Sequence, residues 1–249
     1  MATYLITLQY DGSRYNGWQK QGNTPNTIQE KLENLLTRLY GFPVEISGSG
    51  RTDAGVHALG QTASFRIPDK ADNYSCEDLF SQMNRFLPLD IRVLSVVPAG
   101  ERFHARLLAK SKIYEYRIDT GNPADIFHRR YALHVQQRLD IAAMEEAARR
   151  LTGTHDFLGF CANKHMKKPS VRTIYHIELC QEGVFLIIRF CGNGFLYNMV
   201  RIMTGTLIEV GLHEKSPEDI DRILEQRDRS LAGFTAPPQG LFLVSVSYR

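Results

Sequence analysis

The sequence has little of what metal sites, membrane anchors or secreted scaffolds require. Its four cysteines, Cys76, Cys161, Cys180 and Cys191, form no CxxC pair, so neither a zinc knot nor a small disulfide framework is expected. Eight histidines make no HExxH, and no structural or catalytic metal is expected. The most apolar run, VFLIIRFC, is too short to span a bilayer and carries Arg189. The first residues, MATYLITLQYDG, lack the basic region that precedes the apolar core of a secretory signal. A cytoplasmic location is the resulting expectation. Low-complexity segments and long linkers are missing too.

Charge is nearly balanced. Thirty Lys and Arg against 27 Asp and Glu leave a net charge of +3, which permits an anionic partner without demanding one. With 43% hydrophobic residues in a chain of 249, a sizeable core is expected, in one large domain or two smaller ones.

The patterning mixes strands with helices. Tyr4, Ile6, Leu8 and Tyr10 alternate as one face of a half-buried strand. Thr27 to Glu30 has the spacing of a capping box, and Ile28, Leu32, Leu35, Leu36 and Leu39 follow at helical spacing until Gly41 and Pro43. VEIS and QTASFRI read as strands, and residues 76 to 89 as a helix ended by Pro88. The second half repeats the outline: a strand KIYEYRID, a helix in DIAAMEEAARRLTG, and a hairpin of TIYHIELC with VFLIIRFC. FLYNMVRIMTGTLIEVG predicts a further helix, Ser216-Pro217-Glu218-Asp219 opens another, and LFLVSVSY closes the chain as a strand. The expected class is α+β: two related halves with largely antiparallel sheets flanked by helices, residues 1–105 and 106–249.

One stretch stands apart, residues 48–60, GSGRTDAGVHALG. It is not a P-loop, since no lysine follows Gly55. It is not a dinucleotide fingerprint either, because Asp53 stands where glycine is needed and would repel a pyrophosphate. Two readings remain. In one, the glycines only supply backbone angles closed to other residues. In the other, they clear room for a bulky planar ligand, with Asp53 projecting as an anion that can act as nucleophile or base, or stabilise charge on a sugar carbon. His57 reads as a structural ring buttressing the loop.

GRTDAGVHALGQTASF resembles, nearly residue for residue, the signature of the bacterial tRNA pseudouridine synthase A family. YDGSRYNGWQKQ, LPLDIRV, FHARLLAKSKIYEYRI, THDFLGF, GNGFLYNMVRIMTGTLIEVG and APPQGLFLVSV resemble it as well, in the family's order, from about residue 4 to 248. The resemblance implies a cofactor-free isomerase of two α+β halves meeting at a catalytic cleft. It would convert uridine to pseudouridine on the 3′ side of the tRNA anticodon stem-loop, and act as a homodimer.

It also implies roles for particular residues. Asp53 matches the family's essential aspartate, which acts at the sugar while the N1–C1′ bond is cut and the base rejoined through C5. Tyr114 matches the active-site tyrosine, able to stack on the uracil and to help remove the C5 proton; without the resemblance it is a buried strand aromatic. Arg201 matches the arginine paired with the catalytic carboxylate, Arg51 the one that helps the target base out of its stack, and Leu241 a candidate wall of the uracil pocket. Slight departures, Tyr15, Ser49 and Gly159, touch none of this chemistry.

Contacts to RNA are harder to place. Lys164, His165, Lys167, Lys168 and Arg172 form the densest basic cluster, able to grip phosphates or simply to be solvated. Arg14, Lys20, Arg102, Arg106 and Lys110 are further candidates. Two other classes compete: a non-catalytic tRNA binder or folding chaperone, and a nucleoside or glycoside hydrolase. The binder has no need of an anion beside a polyanion, and the hydrolase lacks a convincing second carboxylate near the loop.

Overall fold

The computed structural model of the chain describes residues 1–163 and 169–249. Among them, ten strands and five α-helices run in the order β1 (Ala2–Tyr10), α1 (Ile28–Tyr40), β2 (Ile46–Gly48), β3 (His57–Ile67), α2 (Cys76–Phe86), β4 (Ile91–Ala99), β5 (Ser111–Asp119), β6 (Leu133–His134), α3 (Ile141–Leu151), β7 (Gly153–Asp156), β8 (Val171–Glu182), β9 (Phe185–Gly192), α4 (Met199–Gly211), α5 (Asp219–Gln226) and β10 (Leu241–Ser247). The fold is α+β, with mostly antiparallel pairing. The chain divides into two compact units, one of Met1–Lys110 with Phe242–Arg249 and the other of Ser111–Leu241.

In the first unit the strand order is β4-β1-β3-β10, with β2 on β3. Alternation in β1 decides its register. Tyr4, Ile6, Leu8 and Tyr10 are all buried, and Tyr4, Ile6 and Leu8 stand opposite Phe65, Ala63 and Gln61 of β3. The last strand returns here: Phe242 and Leu243 pair in parallel with His57 and Ala58. That pairing explains why β3 starts at His57 rather than at Gln61, so that the second half of the glycine-rich stretch is strand rather than loop. Helix α1 is capped as its sequence predicts, with Thr27 accepting from the Glu30 amide and Gly41 closing the helix at φ +77°. The reciprocal capping box forms instead at α2, between Ser75 and Asp78.

In the second unit β5-β9-β8-β7 form an antiparallel sheet, with β6 beside β5. The β8–β9 hairpin turns at Gly183, φ +62°. Helix α3 is capped by Asp140 and packs against α4 and β8. Helix α4 is buried almost all round, as its apolar sequence demands. It begins at Met199 and not at Phe195, because Asn198 turns left-handed, φ +60°, and stops the helix there. No helix among the described residues is long and apolar enough to cross a membrane.

The segment Gly233–Ala236 lies against α4 at glycine-to-backbone distance. Gly233 N–H donates to Thr206 Oγ1 (2.9 Å) and Phe234 N–H to Glu209 Oε1 (2.9 Å). A β-carbon on Gly205 would fall 1.9 Å from the Phe234 carbonyl oxygen. In an open helix interior Gly→Ala stabilises by about 1 kcal/mol; at Gly205 the sign should reverse. Gly205→Ala is expected to cost about 1–3 kcal/mol through overpacking, read as a lower urea midpoint, and a raised midpoint would show that this contact does not constrain the helix.

Candidate active site

The loop from Ser49 to Val56, between β2 and β3, is held by its backbone and by small polar side chains. Ser49 N–H donates to the Thr62 carbonyl (2.8 Å) and Ser49 Oγ bonds Gln61 Oε1 (2.6 Å). Gln61, fully buried, donates its amide to the Gly50 carbonyl (3.0 Å). The Thr52 hydroxyl meets the buried Tyr10 hydroxyl at 2.8 Å, and the Thr52 carbonyl accepts from Trp18 N–H at 3.0 Å. Val56 N–H closes a tight turn on the Asp53 carbonyl (3.1 Å), with Gly55 at φ +78°. Burial pushes the Tyr10 phenol well above its ordinary pKa, so it remains a neutral hydroxyl.

The glycines answer to two different demands. Gly55 supplies a left-handed backbone angle. Gly48 clears space, but for the protein's own Trp18, whose ring a β-carbon would meet at 2.4 Å. The first loop reciprocates: a β-carbon on Gly17 would lie 2.5 Å from the Thr52 carbonyl oxygen and 3.0 Å from the Asp53 carbonyl carbon. The two loops are thus pressed backbone to backbone, and the half-buried Asp53 sits within that contact. His57 has the buttressing role its position suggests. Its Nδ1 accepts the Gly12 N–H (3.1 Å) and its ring stacks on Phe242 at 4.7 Å.

Arg51 is exposed, and its Nε donates to Gln19 Oε1 at 3.0 Å. Gln19 passes the contact inward to Gln29 (2.7 Å) and Gln29 to Glu33 (2.9 Å). The buried Glu33 also accepts from the Ile46 amide (3.1 Å) and pairs with Lys20 (3.3 Å). Sequence reasoning missed Gln19 and Tyr10. The motif YDGSRYNGWQKQ places both residues, but only the folded contact says what each one holds.

In the second unit Tyr114 lies on β5 opposite Phe190, 7% exposed, with its ring edge-on to Phe195 at 5.1 Å. Two residues along, the buried Tyr116 donates to the Pro237 carbonyl at 2.7 Å, and burial raises its phenol pKa too. Arg201 sits in the first turn of α4. Its Nε donates to the Ala236 carbonyl (2.7 Å) and its Nη1 to Asn198 Oδ1 (3.0 Å), while Ala236 N–H returns a bond to the Arg201 carbonyl (3.0 Å). Leu241 is buried at the start of β10, behind Gly240, which packs on the Tyr116 ring.

The basic candidates are scattered. Arg14 pairs with Asp90, its Nε at 2.9 Å, and Lys20 is tied to Glu33. Arg172 folds back on its own backbone, donating to the Pro169 and Val171 carbonyls, and burial lowers its pKa. Arg102, Arg106 and Lys110 are exposed. Lys164, His165, Lys167 and Lys168 lie outside the described residues. Among the described residues no group of three or more His, Cys, Asp or Glu side chains is placed to hold a metal ion.

Residues 6–106 and 147–249 match the family described as tRNA pseudouridine synthase. Asp53, Arg51, Arg201 and Leu241 fall inside the match, and Tyr114 falls between its two parts. The chain is 48% identical over 248 residues to tRNA pseudouridine synthase A of Bacillus sp. (strain KSM-64), covering both chains in full. It is 43% identical to tRNA pseudouridine synthase A 2 of Bacillus cereus (strain ZK / E33L), again over both full lengths. It is 46% identical to tRNA pseudouridine synthase A of Exiguobacterium sp. (strain ATCC BAA-1283 / AT1b), over 100% of this chain and 98% of the other.

Two outcomes follow from the buried phenols. Tyr10→Phe leaves the Thr52 hydroxyl without this partner and is expected to cost about 1 kcal/mol of stability in urea unfolding; no loss would mean the bond does not brace the loop. The raised pKa values of Tyr10 and Tyr116 make their contribution fully present below the unfolded phenol value of about 10, and it is lost as pH rises through the folded values. Absorbance at 295 nm should therefore show these phenols ionising together with alkaline unfolding. Ionisation of every tyrosine at pH 10 in the folded protein would overturn this.

Proposed function

Because the chain belongs to the tRNA pseudouridine synthase family, we propose that it isomerises uridine to pseudouridine in the anticodon stem-loop of tRNA, with Asp53 as the carboxylate that acts at the ribose. It is an isomerase of tRNA uridine. The observation that carries the assignment of Asp53 is the bracing of its backbone: a buried Tyr10–Thr52 bond on one side and the Gly17 contact on the other. A carboxylate meant to meet one sugar carbon has to be held in this way, since about 1 Å of misplacement costs on the order of 100-fold in rate.

The reaction neither adds nor removes atoms. The N1–C1′ bond breaks, the uracil turns, C5 bonds to C1′, and the C5 proton is lost as N1 regains one. Asp53 serves this either by bonding C1′ as the base departs or by drawing the 2′ proton toward a glycal. Arg201 keeps the carboxylate ionised and oriented. Tyr114 stacks on the turning base and helps its C5 proton away, and Leu241 gives the pocket an apolar wall. Arg51 fills the place of the flipped nucleotide, a step that costs a few kcal/mol of lost stacking. Lys164, Lys167, Lys168 and Arg172 are proposed to meet phosphates. A cytoplasmic homodimer, with one tRNA crossing both subunits, completes the reading.

The test is pseudouridine formation on an unmodified tRNA transcript, wild type against Asp53→Asn, with tRNA binding measured at the same salt. The expected result is a loss of at least about 100-fold in rate with binding retained. Equal rates would remove Asp53 from the chemistry. A wild type that binds tRNA but forms no pseudouridine would favour a binding or chaperone role on the same scaffold.

A further inference from the structure

We infer that Asn198 is a positioning residue for Arg201, fixing the plane of its guanidinium without cancelling its charge. The inference rests on the reading of Arg201 as the partner of Asp53 and adds a residue that neither the motifs nor the family match singles out.

Three observations carry it. Asn198 is one of only three non-glycine residues with positive φ among those described, at φ +60° and ψ +7°. L-residues adopt that conformation at a cost, which asparagine bears better than most. Asn198 also occupies the N-cap of α4, where an asparagine ordinarily satisfies a free amide of the first turn. It makes no such side-chain bond. Its amide oxygen goes instead to Arg201 Nη1 at 3.0 Å, while the Ala236 carbonyl takes Nε of the same guanidinium at 2.7 Å. The residue therefore accepts a strained backbone and gives up its capping bond, and its side chain is directed to one arginine.

The chemistry of the two acceptors matters as much as their placing. Acceptors on Nε and Nη1 stop rotation of a planar fork whose remaining N–H directions are then set. Both are neutral carbonyls. An aspartate or glutamate at 198 would orient the arginine equally well but would compete with a catalytic carboxylate for its charge. An amide orients and leaves the charge in place.

The experiment is single-turnover pseudouridine formation on a tRNA transcript by wild type, Asn198→Gly, Asn198→Asp, Arg201→Lys and the double variant Asn198→Gly with Arg201→Lys. Glycine keeps the left-handed backbone and removes the side chain with its amide oxygen, and a melting temperature at or above that of wild type verifies the fold. Asn198→Gly is expected to slow the chemical step about tenfold, with the tRNA dissociation constant within about twofold of wild type, the mark of an interaction realised in the transition state. Asn198→Asp, which keeps shape and backbone, is expected to be slower still. In the Arg201→Lys background, where no planar fork remains to be oriented, Asn198→Gly is expected to change the rate by less than about twofold. A wild-type rate for Asn198→Gly, or the same fold-loss in both backgrounds, overturns the inference. A wild-type rate for Arg201→Lys instead overturns the role given to Arg201, a separate failure.

Discussion

The bond between the Tyr10 and Thr52 hydroxyls, 2.8 Å long and out of reach of water, carries more of this protein's design than any other. In water either hydroxyl would trade partners freely. With both hydroxyls buried, a broken bond would not be replaced by water, and that penalty ties the strand β1 to the loop that follows β2. Thr52 is then fixed by its side chain and, through its carbonyl, by Trp18. The next residue is Asp53. Its backbone has little freedom left, since Gly17 presses on it from the neighbouring loop and Val56 closes a turn over it.

The two units place their polar groups by different means. The first fixes a carboxylate through the backbone on which it rides, by the bonds and contacts of Thr52, Val56 and Gly17. The second fixes a guanidinium directly, through neutral carbonyls brought by Asn198 and by the segment strapped across α4. Both arrangements keep the charge of the group intact. Holding Arg201 by an acidic side chain would give the same geometry and a weaker field.

Much of this was legible in the sequence. The strands β1 and β5 followed from alternation, β8 and β9 from two strand-like runs about Gln181-Glu182-Gly183, and α1 and α3 from apolar spacing between capping and breaking residues, because these elements are decided by neighbours within a few positions. The RTDAG stretch stood out because backbone demands explain its glycines but not Arg51 and Asp53 among them. What stayed hidden depends on contacts between distant segments. No local pattern says that Gly48 yields to Trp18 rather than to a ligand, or that Gln19 reaches Arg51. The early start of α4 expected at Phe195 failed for a local reason. The composition of FLYN suits a helix, but Asn198 takes a left-handed backbone and turns its side chain to Arg201, three residues on.

The return of β10 to the first unit has a consequence for how the protein folds. Phe242 supplies the ring on which His57 stacks, and with Leu243 it pairs beside the start of β3, immediately after the Asp53 loop. The paired residues are far apart in sequence, so the contact carries a large loop-closure cost before it gives anything back. A chain in which this pairing has opened lacks one strand of the first unit's sheet and the ring over its buttressing histidine.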